Sequence, residues 1–137
     1  MHQIDNGLKE NFFRWRGRLN RKRFINRLLA LSVGGFLLYI ILFIALAATS
    51  GIPASDTTEE ANAAVGLLTL ASLPITVSSY MLMIRRLHDI GLSGWFVLLA
   101  LIPLVSLGFI LYILFKQGTE GDNAYGPDPL GAYGASS

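Results

Sequence analysis

The chain has no cysteine, and of its 137 residues only His2 and His88 are histidine. The first lack excludes disulfides, thiolate metal sites and cysteine nucleophiles, and leaves the redox compartment open. The second leaves His88 without a neighbouring histidine for a metal site. Charge is scarce too. Only 15% of residues are charged, against about a quarter in an ordinary soluble domain, while 53% are apolar. No nucleophile–base–orienter set and no Gly-rich phosphate loop can be picked out, so neither catalysis nor a cofactor is expected.

What the chain has is apolar length. Three runs, Leu28–Ala48, Ala61–Ile84 and Gly94–Phe115, are each closed by charges or turn residues. At ~1.5 Å rise per residue each gives a helix of roughly 31–36 Å, enough to cross a hydrocarbon core of about 30 Å. The reading is an all-α membrane protein, a bundle of three transmembrane helices over about residues 24–49, 62–84 and 94–116. A single domain covers residues 1–130, with an irregular C-terminal segment and a flexible tail at 131–137. Ala45-Leu46-Ala47 fits the cleavage pattern of a secretory leader. The apolar core is longer than the ~7–15 residues of such leaders, so a retained span is expected.

The net charge of +2 hides an asymmetry. Lys9, Arg14, Arg16, Arg18, Arg21, Lys22, Arg23 and Arg27 all precede the first apolar run, and Arg85 and Arg86 follow the second. Beside a membrane span, topology and anionic lipid explain this better than nucleic acid does. The bias places the N-terminus and the Arg85–Ser93 turn in the cytoplasm and residues 50–60 outside. Three spans then send the C-terminal tail outside, with Lys116 as a weak counter-signal.

Residues 7–16 put Leu8, Phe12 and Trp15 at helical spacing with basic residues between them. They read either as an interfacial amphipathic helix or as a solvated leader, and Gly17 interrupts the pattern. Asn20 is a suitable N-cap for the first span, and Ser50-Gly51-Ile52-Pro53 a stop. In the second span Pro74 predicts a kink, and Thr69, Ser72, Thr76 and Ser79 form a polar stripe that continues to Arg86. The stripe is either a packing face or the lining of a polar path. Pro103 allows the third run to be one kinked span or a re-entrant hairpin, and the kinked span is preferred because a hairpin leaves backbone groups in need of partners.

The sharpest local motif is Arg85-Arg86-Leu87-His88-Asp89-Ile90-Gly91. On a helix Arg85, His88 and Asp89 share a face, Asp89 can pair with Arg85 or Arg86, and Gly91 can close the helix as its C′ residue. The motif is either an ion-paired helix end or a surface site for headgroups, phosphate or protons. A second motif, Gly118 to Pro129, reads as successive turns, without the spacing of a calcium loop.

Together these stretches resemble the bacterial inner-membrane family called Domain of Unknown Function 805. Phe12-Phe13-Arg14-Trp15-Arg16-Gly17-Arg18-Leu19-Asn20-Arg21-Lys22-Arg23-Phe24 is similar to its basic opening motif. Arg85 to Trp95 is similar to its central signature, and Asn123-Ala124-Tyr125-Gly126-Pro127-Asp128-Pro129 to its closing motif. Arg23 departs from the acidic residue often found there, so no capping box forms with Asn20. The pattern's aromatic pair at Phe24-Ile25 and its polar or basic residue at Leu92 are also not met. The resemblance implies a multi-spanning inner-membrane protein and supplies no reaction.

The first functional expectation is a non-enzymatic module that binds anionic lipid or a partner at the cytoplasmic face. Its candidate residues are Arg16, Arg18, Arg21, Arg85, Arg86, His88 and Asp89. The alternative is a small transporter or channel component using Thr69, Ser72, Thr76 and Ser79. Self-association or a larger membrane complex is expected, because three helices bury little surface.

Overall fold

The computed structural model describes residues 11–49 and 58–130. The expectations for residues 7–10, most of the 50–60 loop and the 131–137 tail lie outside the described residues. Two long helices, α1 (Arg21–Thr49) and α2 (Thr58–Ile90), are followed by a 3-10 helix (Gly94–Leu101) and a shorter helix, α3 (Pro103–Phe115). There is no strand among the described residues, only an isolated bridge between Asn123 and Gly126. Both α1 and α2 are long and apolar enough to cross a membrane, and α3 is a shorter apolar helix.

The ends of the long helices are set by local chemistry. Asn20 caps α1: its Oδ1 accepts the Arg23 N–H at 2.9 Å, and its carbonyl accepts the Phe24 N–H. At the other terminus of the pair, α2 closes on Gly91, which takes φ of +89°. The Leu92 N–H bonds the Leu87 carbonyl and the Gly91 N–H bonds that of His88. This is a Schellman closure, which needs a residue free to adopt left-handed backbone, hence glycine. Helix α2 runs unbroken through Pro74.

Helices α1 and α2 lie antiparallel. The Leu19 N–H just before α1 bonds the Arg85 carbonyl near the end of α2 at 3.1 Å. Further along, Gly35 faces Ile75 so closely that a Cβ would come 3.2 Å from the Ile75 Cδ1.

The third apolar run corrects the sequence reading: it is not one kinked span. A Cβ at Gly94, where the run begins, would lie 2.8 Å from the Ile84 Cγ2 and 3.3 Å from the His88 Nε2. Where the run ends, the carbonyls of Ile113, Phe115 and Lys116 accept bonds from Arg86 and Arg21. Both ends therefore sit at the Arg86 end of the molecule. The 3-10 helix descends and α3 returns, over about 16 Å and 20 Å respectively for their 8 and 13 residues. These are roughly half and two thirds of a hydrocarbon core of about 30 Å, too short for either to cross it. The reversal falls at Ile102, which is extended (φ −92°, ψ 116°), as expected for a residue before proline. Pro103 opens α3 with no N–H to satisfy, and the Ile102 N–H bonds the Leu99 carbonyl. Ser106 bonds the turn through its backbone N–H, to Ile102, and through its hydroxyl, to Pro103. The chain thus meets locally much of the backbone demand that counted against a hairpin. The tail after Lys116 accordingly lies at the same end as residues 11–20, not opposite them.

Among the described residues the buried apolar side chains lie towards that end: Leu19, Phe24, Leu82, Leu87, Val97, Phe109 and Ile113. Beyond Gly35 and Ile75 the two long helices continue as a pair with mostly exposed apolar side chains.

Candidate functional site

Three stretches converge on the Arg86 end: the approach to α1, the last turns of α2, and the segment after α3. Residues 11 and 12 are helical and 13–20 irregular, so the amphipathic pattern ends as a helix at Phe12. The irregular stretch is anchored by Ser78, whose hydroxyl donates to the Phe12 carbonyl at 2.6 Å.

At the centre are Arg18, Arg86 and Asp89, all buried. The Arg18 Nε donates to the Asp89 Oδ1 at 3.1 Å. Its Nη1 donates to the Gly121 carbonyl at 2.5 Å and, more weakly, to that of Gly126 at 3.4 Å, and its Nη2 to that of Thr119 at 2.5 Å. The Arg86 Nη1 donates to the Asp89 Oδ2 at 2.5 Å and to the Leu19 carbonyl at 3.2 Å. Its Nε donates to the Ile113 carbonyl at 2.7 Å, and its Nη2 to that of Lys116. One carboxylate thus bridges two guanidinium groups, while their other donors satisfy backbone carbonyls. The carbonyls at the end of α3 have no partners within the helix and carry its partial negative charge, so guanidinium groups are suited to them. Arg21 adds a bond to the Phe115 carbonyl at 3.2 Å.

The tail is locked over this cluster. The Thr119 N–H donates to the Asp89 carbonyl at 2.7 Å, and the Asn123 Nδ2 to the His88 carbonyl at 2.9 Å. The Tyr125 ring stacks on His88, with centroids 4.2 Å apart and planes 3° from parallel. The His88 Nδ1 lies 3.1 Å from the Gly17 carbonyl. A carbonyl only accepts, so the proton sits on Nδ1. Asp128 accepts the N–H groups of Gly121 and Leu130 and lies 4.0 Å from Arg18. These hold its carboxyl below the usual carboxylate range, the Leu130 N–H first, then the Gly121 N–H and the Arg18 charge. Gly118 passes so close to Asp89 that a Cβ there would lie 2.8 Å from the carboxylate carbon.

The residues singled out in the sequence therefore divide. Arg18, Arg86, Asp89 and His88 are gathered into one knot and bond the protein itself. Arg85 is buried beside it, and its carbonyl accepts the Leu19 N–H. Arg16 and Arg21 are exposed, as are Lys22 and Arg23, and the Arg16 guanidinium lies 5.0 Å from the Trp15 ring centre. The stripe stands apart from the knot. Thr69, Ser72, Thr76 and Ser79 each donate to a carbonyl of α2, those of Val65, Thr69, Ser72 and Ile75. Among the described residues no group of three or more metal-ligating side chains comes together. Sequence reasoning missed Gly118 and the carbonyls of Thr119, Gly121 and Gly126, which carry no side-chain signal.

The knot joins the three segments that stood out as motifs, and a family model described as "Protein of unknown function (DUF805)" matches residues 12–127. The chain belongs to this family. Two curated proteins of Escherichia coli strain K12 are similar to it. Inner membrane protein YhaH is 38% identical over 65 residues, which are 46% of this chain and 52% of YhaH. Inner membrane protein YhaI is 44% identical over 48 residues, 35% of this chain and 41% of YhaI. The chain thus spans about half the length of the curated relatives it matches, or less. No solved structure matches it. The DUF805 match begins at the Phe12 that Ser78 anchors and ends one residue short of Asp128, so it encloses nearly the whole knot.

Proposed function

We propose that this DUF805 protein is a non-enzymatic, two-span inner-membrane module with both described ends in the cytoplasm, and that its exposed cations bind anionic headgroups there. The observation that carries the reading is one-sidedness. Every described lysine and arginine lies at the knot end: those from Arg14 to Arg27, the pair Arg85 and Arg86, and Lys116. The far end carries Glu59 and Glu60. Two crossings return the tail to the side of the N-terminal segment, so Lys116 no longer opposes the Lys/Arg bias that places this end inside. The first turn of α1 holds Arg21, Lys22 and Arg23 and no acidic residue. Cations are disfavoured at a helix N-terminus, and phosphate groups outside the helix would offset them.

Headgroup binding is assigned to Arg16, Arg21, Lys22 and Arg23, while Arg18, Arg86 and Asp89 hold the surface in shape. The transporter reading loses support, because the hydroxyls of the stripe bond α2 itself and the described groove between α1 and α2, lined by residues such as Leu42, Leu67 and Leu70, is apolar.

The test is lipid retention by the full chain, purified in neutral detergent and exchanged into mixed phosphatidylglycerol and phosphatidylcholine. The protein should enrich phosphatidylglycerol. At ~1 kcal/mol per exposed cation, replacing Arg16, Lys22 and Arg23 with glutamine should weaken that preference by roughly a hundredfold at low salt. Equal retention by parent and variant, with melting unchanged, refutes the proposal.

A further inference from the structure

The molecule is not equally wide at its two ends. On the knot side of the Gly35–Ile75 contact, four rods stand side by side: α1, α2, the 3-10 helix and α3. On the other side, among the described residues, only α1 and α2 continue, because the hairpin turns back at Ile102. Each rod is about 10 Å across with its side chains, so one leaflet holds roughly twice the protein cross-section of the other. The irregular stretch 13–20 and the tail from Gly118 widen the same end further, at the headgroup level. Trp15, Trp95 and Phe115 are exposed there, flanking the knot. Aromatic rings of this kind settle at the membrane–water boundary. They fix the depth at which the widening begins, and the hairpin then reaches about half to two thirds of the hydrocarbon thickness.

We infer that the protein is a membrane wedge: the re-entrant hairpin makes it bind and favour bilayers curved so that the leaflet holding the knot is the expanded, convex one. A rod that fills both leaflets equally has no preference for curvature. A body twice as wide in one leaflet displaces more lipid there, and it has lowest energy where that leaflet already has the larger area. The ligand is the curved lipid surface itself. The inference needs the hairpin, not the cations, and so goes beyond the headgroup reading.

The test uses the natural absence of cysteine. Full-length Gln117→Cys, at an exposed position just after α3, is reconstituted into large vesicles of phosphatidylcholine alone and into others containing phosphatidylglycerol. Half of each preparation is sonicated to small vesicles, and outward-facing thiols are counted with an impermeant reagent. Labelling should be near even in large vesicles and about fourfold biased outward in small ones, a difference of roughly 0.8 kcal/mol. Glu59→Cys, at the narrow end, should show the reverse bias. The same bias in both lipid mixtures supports a shape effect even if headgroup binding fails. A bias only with phosphatidylglycerol assigns the effect to charge and overturns the wedge, as does an even split at both sizes. A third variant, Leu70→Cys, reports on the narrow half. Disulfide-linked dimers in these vesicles would mean that a second copy fills the missing width, which also overturns the inference.

Discussion

Asp89 is the side chain on which most of the knot depends. Its carboxylate is the only one within hydrogen-bonding distance of both Arg18 and Arg86 among the described residues, and all three are buried. Removing one partner of a buried ion pair costs about 3–5 kcal/mol, because the remaining charge stays buried. Asp89→Ala should therefore lower the melting temperature in detergent far more than Asp128→Ala, whose charged partner Arg18 is 4.0 Å away and whose side chain is 20% exposed. Equal melting of the two variants would make the knot energetically idle. Gly118→Ala tests the same contact from the other side. The added methyl meets the Asp89 carboxylate, and overpacking of this kind costs about 1–3 kcal/mol. Circular dichroism melts of the three variants decide both points. At this scale the sequence was informative about identity and less so about partners. The i,i+3 pairing of Arg86 with Asp89 follows from helical spacing. The pairing with Arg18 joins residues 71 positions apart, and nothing in local spacing reveals it.

At the scale of elements, α1 and α2 were legible because length, hydropathy and caps agree: Asn20 caps one and Gly91 closes the other. The third run has the composition of a span and the length of one, yet it folds back. Pro103 marked the place but not the outcome. The hairpin is held by bonds from Arg86 and Arg21 to the carbonyls that end α3, contacts that hydropathy does not register. The tail offers a titration. Asp128 has its carboxyl below the ordinary range, so it binds fewer protons folded than unfolded at mildly acidic pH. Its contribution is complete above the unfolded value and is lost as pH falls through the folded one. Docking of the tail should loosen on acidification below the usual aspartate range. Hydrogen exchange at the Gly121 and Leu130 amides, which Asp128 accepts, should rise at that point after correction for intrinsic pH dependence. In Asp128→Asn the acid-dependent step should vanish.

For the whole molecule, the return of the tail to the knot end changes the expected threading. In intact spheroplasts an impermeant thiol reagent should label Glu59→Cys and leave Gln117→Cys protected until the membrane is opened. Labelling at Gln117 in intact cells would restore a third crossing. The knot also governs the order in which the molecule can be finished. Arg18 bonds carbonyls that come 101 to 108 residues later. Domains take shape from the N-terminus as the chain is made, so both long helices are in place well before Thr119 emerges. Until then Arg18 lacks three of its acceptors, the carbonyls of Thr119, Gly121 and Gly126. A segment made late thus completes one made early, and a nascent chain cut short before Thr119 holds the Arg18 guanidinium without the three carbonyls that surround it in the folded protein.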